Sequence, residues 1–273
     1  PATVDEVSQD DELVTLTVST GGELRKITAR LLVVADGARS ATREKLGIAA
    51  ATTEYGQHAL IANVTPQQAH RNVAYERFTP DGPLAFLPMS NGRCSVVWTQ
   101  KPEASTQVLE LDDHAFLGAL QAAFGYRLGT LQKTGKRFAY PLSLVQAQRI
   151  VSGRAVVIGN AAHGLHPVAG QGFNLGLRDV AALAEVIADS DDPGRRSTLR
   201  RYRRWRAADH KRVINFTDGL VRLFGSDLGP VRAARGAGLV AMNLLRGPRA
   251  LLARQSMGLS GKLPRLARGV PLR

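Results

Sequence analysis

The sequence is poor in cysteine, in aromatic residues and, toward its end, in acid. Cys94 is the single cysteine. One thiol cannot close an internal disulfide or make a zinc site by itself, which fits a reducing cytosol. No apolar run approaches the roughly 18 residues of a membrane span; the longest, such as Leu31 to Ala35 and Ala155 to Ile158, have the length of buried strands. The 27 glycines and 13 prolines are spread along the chain, which excludes collagen-like and low-complexity architectures. The chain opens at Pro1 with no initiator Met, basic leader or apolar signal core, as expected of a processed product or a fragment. Residues 195–273 hold 3 acidic against 19 basic side chains, whereas residues 1–194 hold 20 against 17. That split suggests a near-neutral body and a basic C-terminal part suited to phosphates or an anionic surface.

What is present is 273 residues, 44% hydrophobic and 22% charged, enough for one large globular domain or two ordinary ones. Alternation over Leu13 to Val18, a Gly21-Gly22 turn and a second run through Leu24 and Ile27 predict a hairpin. The continuous run Leu31 to Ala35 predicts a strand buried on both faces, stopping at Asp36-Gly37 before a short helix. Runs at 59–64, 73–78, 84–89, 94–99 and 137–142 predict an antiparallel sheet. One helix, roughly 112–124, interrupts it, with Asp112 or Asp113 as N-cap and Gly125 as stop. Arg154 to Ile158 reads as a short buried strand, followed by a glycine-rich loop and a helix from about Asn174 to Ala188. Beyond Gly194 the chain is helical and rich in arginine.

The most informative segment runs Gly159-Asn160-Ala161-Ala162-His163-Gly164-Leu165-His166-Pro167, then Gly170-Gln171-Gly172-Phe173-Asn174. Strand, glycine-rich loop and helix N-terminus in that order form an anion site, because glycine lets the backbone approach and the helix presents unpaired N–H groups. Glycine spacing alone is equally met by a tight turn. The full string resembles a flavin-contacting motif of aromatic-ring flavoprotein hydroxylases of the para-hydroxybenzoate hydroxylase type. Val33 to Ser40, containing Asp36, Gly37 and Arg39, resembles the Asp-Gly motif of the same family. Within it, Tyr75 to Thr79, Gly82 to Met89 and Gly92 to Trp98 are most similar to the ubiquinone-biosynthesis branch.

The resemblance implies an α/β flavoprotein with a discontinuous FAD-binding domain (1–54 and 149–194), an inserted mostly antiparallel substrate domain (55–148) and a basic helical region (195–273). It implies FAD as cofactor, with reduced NAD(P)H and dioxygen as co-substrates. The reaction implied is hydroxylation of a polyprenylated phenol of the 2-octaprenyl-6-methoxyphenol type through a flavin hydroperoxide, without a metal. Asp36, Gly37, Arg39, Gly159, Asn160, Pro167, Gly170, Gln171, Gly172, Phe173 and Asn174 are then the expected cofactor contacts. Asn160 stands where the family usually has Asp. The family's opening Gly-x-Gly-x-x-Gly strand is also missing; Gly236 to Ala241 has that shape but reads as small residues in a packed helix. The chain therefore corresponds to the C-terminal two thirds of a flavoprotein, and alone is expected to bind FAD poorly and to be inactive. A sister ring hydroxylase, a related flavin oxidoreductase and a non-catalytic binding or assembly module are the alternatives.

His163 and His166 lack a third metal ligand and read as loop histidines bonded to backbone. Cys94 reads as a strand residue with no partner base. Phe86, Met89 and Trp98 serve either as an apolar substrate pocket or as ordinary core, and their spacing fits both. Residues 195–206 carry seven arginines, and the apolar stretch Leu239 to Leu252 is flanked by Arg246, Arg249 and Arg254. No nucleic-acid fold accompanies them, so nucleic acid is not the expected partner. A solvated face and peripheral contact with a membrane or a biosynthetic complex both remain open. The expected location is cytoplasmic, either free or peripheral on the inner face of the membrane.

Overall fold

The computed structural model describes residues 2–226 and 228–272. The chain opens with a meander, β1 (Ala2–Gln9), β2 (Val14–Thr20) and β3 (Glu23–Ala29), whose second turn falls at Gly21-Gly22 as the alternation predicts. Next come β4 (Leu32–Val34) and a short helix α1 (Ala41–Lys45), capped by Ser40 Oγ accepting from the Arg43 N–H at 3.0 Å. Five strands follow: β5 (Ala50–Pro66), β6 (Tyr75–Thr79), β7 (Gly82–Pro88), β8 (Cys94–Gln100) and, after two helices, β9 (Leu131–Ala147). The helices are α2 (Pro102–Glu110) and α3 (Asp113–Phe124). Asp112 caps α3 by accepting from the Ala115 N–H at 2.7 Å, and Gly125 ends it, as expected; α2, begun by a proline, was not anticipated. Then come β10 (Val151–Ser152), β11 (Ala155–Val157), β12 (His163–Gly164) and α4 (Gln171–Ala188). Three helices complete the chain: α5 (Arg196–Phe224), α6 (Gly229–Leu244) and α7 (Arg246–Ser256).

The described residues divide into two compact units. The first is discontinuous, residues 1–53, 144–218 and 241–273; the second comprises 54–143 and 219–240. The C-terminal residues grouped together in the sequence analysis are thus shared between both units.

In the first unit a small sheet, order β10-β11-β4, pairs β11 parallel with β4. Ala155, Val156 and Val157 are fully buried in the middle of it, packed with Val34 of β4, Leu183 and Val186 of α4, and Leu199 and Tyr202 of α5. Among the described residues β4 lies at the edge of this sheet, with Val34 buried and Val33 41% exposed. An apolar run records composition; position in the sheet decides how much of it is covered.

In the second unit β5, β8, β7 and β6 lie side by side in an antiparallel sheet. Register places Leu60, Trp98 and Leu84 in one cross-strand row and Ala62, Val96 and Phe86 in another. These rows are buried with Phe116, Leu120 and Phe124 of α3; Phe86 stacks on Phe124 with ring centroids 3.8 Å apart. Phe86 and Trp98 are therefore core, correcting the pocket reading, while Met89 is half-buried at the end of β7. Because side chains alternate along a strand, the intervening rows of Ile61, Val97 and Ala85, then Asn63, Ser95 and Leu87, form the more open face. Phe86→Ala should cost about 3–5 kcal/mol of unfolding free energy by urea titration. Leu87→Ala, on the open face, should cost well under half of that; equal costs would refute the two-faced description.

Candidate functional site

The two motifs singled out in the sequence meet in the first unit, and the residue joining them is Arg43. It is 4% exposed and donates to the carbonyls of Ala161, at 3.0 Å, and Ala38, at 3.3 Å. One guanidinium thus ties the Asp36-Gly37 loop to the loop that follows β11. Arg39, the arginine expected to matter, is exposed and makes no ion pair among the described residues. Asp36 is occupied within its own loop, accepting from the Ser40 hydroxyl and from the Thr42 N–H at 3.1 Å. Partial burial pushes its carboxyl up, but the hydrogen bonds from Ser40 and Thr42 outweigh that and hold it below the ordinary range.

The second loop leaves β11 at Gly159, φ +58°, and passes the exposed Asn160. It reaches α4 through Pro167 and Gly170, which holds a left-handed conformation, φ +59°. That helix has no side-chain cap and no acid in its first turn, which leaves its N-terminus, beside Gly170 and Gly172, without a capping oxygen from the N-cap residue. α4 also begins earlier than expected, at Gln171. A Cβ at Gly176 would lie 3.6 Å from the Gly159 Cα, which shows how closely the helix seats on the loop. Phe173 is 76% exposed, Asn174 Nδ2 reaches the Gly170 carbonyl at 3.4 Å, and the Gln171 side chain turns inward to donate to the Ser256 carbonyl at 3.0 Å. Of the expected contacts, Gln171 thus offers its backbone and not its amide.

Beneath this loop lies a network that sequence reasoning missed. Asp179 of α4, 1% exposed, accepts at one oxygen from Arg206 Nε and His210 Nε2 of α5, each at 2.7 Å. His210 Nδ1 lies 3.0 Å from His163 Nε2, and Arg206 and Arg178 both pair with Asp209. With Asp179 ionised, His210 carries its proton on Nε2 and accepts from His163 Nε2 at Nδ1, which leaves His163 Nδ1 as a buried lone pair with no hydrogen bond. Burial alone would raise the Asp179 carboxyl, but His210 and Arg206 hold it low. His163 is thus bonded to the His210 side chain, and His166 Nδ1 accepts from the Val168 N–H at 3.1 Å, the backbone bond expected of a loop histidine. Leu199, Tyr202, Arg206, His210, Val213 and Thr217 form one buried stripe at helical spacing. That period was the available signal, hidden because an arginine and a histidine sit within it. Among the described residues no group of three or more histidine, cysteine, aspartate or glutamate side chains is placed to hold a metal ion. Cys94 is a buried strand residue, and Gly236 to Ala241 is helical but exposed rather than packed.

The chain belongs to the FAD binding domain family, whose profile matches residues 2–217. It is 42% identical over 279 residues to Ubiquinone hydroxylase UbiL of Rhodospirillum rubrum, an alignment covering 100% of this chain and 64% of that protein. It is 33% identical over 245 residues to the 3-demethoxyubiquinol 3-hydroxylase of Escherichia coli (strain K12), covering 88% and 62%. The chain thus spans somewhat less than two thirds of the length of these relatives. Among solved structures, p-nitrophenol 4-monooxygenase PnpA from Pseudomonas putida DLL-E4 superposes with a TM-score of 0.72 at 20% identity, over 94% of this chain and 66% of that one, a likeness of fold. The residues present fit part of an FAD site: open N–H donors on an uncapped helix, glycines that leave the backbone bare, and no carboxylate in the first turn to compete.

Burial, with the neighbouring His210 in the case of His163, lowers His163 and His166 from 6.5 to about 4. Their folded forms take up protons only well below the unfolded chain, so unfolding free energy is complete above pH 6.5 and falls as pH drops toward 4. Carboxylates held low act only below that window. Each histidine contributes on the order of 3 kcal/mol by the lower limit. Urea midpoints should therefore fall steeply between pH 6.5 and 4.5, with neither imidazole titrating above pH 5 by NMR; midpoints near 6.5 for both would refute the assignment.

Proposed function

We propose that this chain forms part of a flavin-dependent monooxygenase that hydroxylates a polyprenylated phenol in ubiquinone biosynthesis. Reduced nicotinamide and dioxygen are its co-substrates. The reading is carried by the uncapped N-terminus of α4, which ends the loop that the buried Arg43 ties, at Ala161, to the Asp36-Gly37 loop. FAD, when bound, supplies the redox chemistry, accepting hydride and activating dioxygen. The chain's part is to bind and orient. The N–H groups after Gly170 favour negative charge at the edge they face, through unpaired donors and the helix dipole. Gly159 and Asn160 lie alongside as further contacts, Asn160 keeping an acceptor oxygen without the charge of Asp. On the sheet of the second unit, the open face bearing Ile61, Ala85 and Val97 is the surface suited to an apolar ring and tail. The relatives' names support a quinone-pathway phenol, and the ring position is the finer question.

The test is to express the longest open reading frame containing this sequence and follow NAD(P)H oxidation coupled to product with a panel of prenylphenols. Arg43→Ala should weaken flavin retention about tenfold or more, read by fluorescence of released flavin. Unchanged retention, or no coupled oxidation with any phenol, would overturn the reading.

Peripheral attachment to an anionic membrane is supported by a separate observation. On α7, Leu251 and Leu252 project opposite Arg246, Arg249 and Arg254, no residue of the helix is buried, and Leu251 is 69% exposed. Among the described residues no helix is long and apolar enough to cross a membrane, so such attachment is by lying on the surface. Leu251→Glu with Leu252→Glu should abolish flotation with vesicles containing phosphatidylglycerol; full retention of binding would remove the proposal.

A further inference from the structure

The arginines of the first unit fall into two sets. Arg154, Arg178, Arg201, Arg206 and Arg265 each pair with a carboxylate: Asp192, Asp209, Asp189, Asp179 and Asp189. The second set has no carboxylate partner among the described residues. Arg196, Arg200, Arg203 and Arg204 are exposed on α5 at spacings of four, seven and eight, which puts them on one helix face, beside the buried stripe of Leu199, Tyr202 and Arg206. Arg149 joins them from the segment before β10, hydrogen-bonded among the described residues to the Gly47 carbonyl at 3.2 Å.

These five side chains line one hollow of about 570 Å³. Its floor is built with care. Arg154 is fixed there by Asp192, the Asp11 carbonyl at 2.7 Å and the Arg30 carbonyl at 2.8 Å. A Cβ at Gly194 would lie 1.8 Å from the Arg30 carbonyl, so that position admits no side chain, and Gly153 holds a left-handed conformation, φ +54°. Asp10 and Asp11 also border the hollow, but the Asp10 carboxylate is taken up by the N–H groups of Glu12 and Leu13.

Among the described residues no carboxylate offsets this arrangement. Like charges four apart on a helix repel, and cations in its first turn oppose the helix dipole; α5 has no acid in that turn to offset them. Arginines gathered against both penalties make sense only with an anion between them, and the planar guanidinium matches phosphate oxygens two at a time. We infer that the hollow between the first turns of α5 and the β10–β11 turn binds a phosphate-bearing anion of at least two negative charges. The anion is either a free diphosphate group or clustered phospholipid headgroups. The site is separate from the glycine loop and does not rest on the flavin reading.

The experiment uses the full chain and two probes that contain no flavin, inorganic pyrophosphate by calorimetry and phosphatidylglycerol vesicles by flotation. Arg200→Glu with Arg204→Glu is compared with Arg25→Glu with Lys26→Glu, which changes net charge equally on exposed β3. The expected result is a loss of about tenfold or more in the first variant and little change in the second, with binding weakened by salt. Loss confined to pyrophosphate identifies a soluble phosphate ligand; loss confined to vesicles identifies headgroups. Equal losses in both variants, or no binding of either probe, overturn the proposal. Arg200→Gln with Arg204→Gln guards against misfolding: relief of repulsion should leave its melting temperature at or above that of the parent, and a lower one would mean that the arginines serve the fold.

Discussion

The structure of the first unit depends on one buried carboxylate. Asp179 is almost inaccessible and is shared by Arg206 and His210, so two helices are locked together by charges that have left water. Such groups are tolerated only in company, because an unpaired buried guanidinium or carboxylate costs several kcal/mol while the assembled pair roughly offsets its own desolvation. The arrangement is therefore close to all-or-none. Its reach is extended by His210, which carries the constraint to His163 and hence to the loop between β11 and α4. The position of the glycine-rich loop is set from below, by α5, as well as by the strand that precedes it.

Arg43 performs the corresponding task from the other side. Carbonyls at the ends of two loops have no secondary-structure partners, and a buried guanidinium with its fixed fork of donors can satisfy both at once. The loop that presents Gly159 and Asn160 is thereby pinned at Ala161 by one charged network and at His163 by another. On either side of these pins the backbone is left bare, at Gly159 and at Gly170, and the helix start has no side-chain cap. Rigid support around unsatisfied donors is what an anion-holding site requires, since donors already in place need no reordering when a ligand arrives.

The second unit rests on ordinary sheet physics. Alternate rows face α3 and are sealed by stacked rings, while the rows between them carry smaller and more polar side chains and remain half-open. A core on one face gives the sheet its stability and leaves the other free to vary in chemistry without cost to folding. Charge follows the same division of labour along α5, where paired arginines hold the fold together and unpaired ones crowd a single face.

Much of this was legible in the sequence. Alternation and turn glycines located the hairpin, Asp112 and Gly125 marked the ends of α3, and the Gly159 to Asn174 string fell on a strand-to-helix junction as its composition requires. These are local matters, fixed by backbone sterics and capping over a few residues, and the chain determines them by itself. Partnership is different in kind. Whether Val33 is covered, whether Phe86 faces a helix or an opening, which of Arg39 and Arg43 is buried, and that Asp179, His163 and His210 form one network are set by residues distant in the chain brought within 3 Å. Composition and period count an arginine as a charge wherever it stands. Only the folded structure distinguishes the one that a carboxylate neutralises from the one left waiting for an anion, because desolvation and pairing are properties of place.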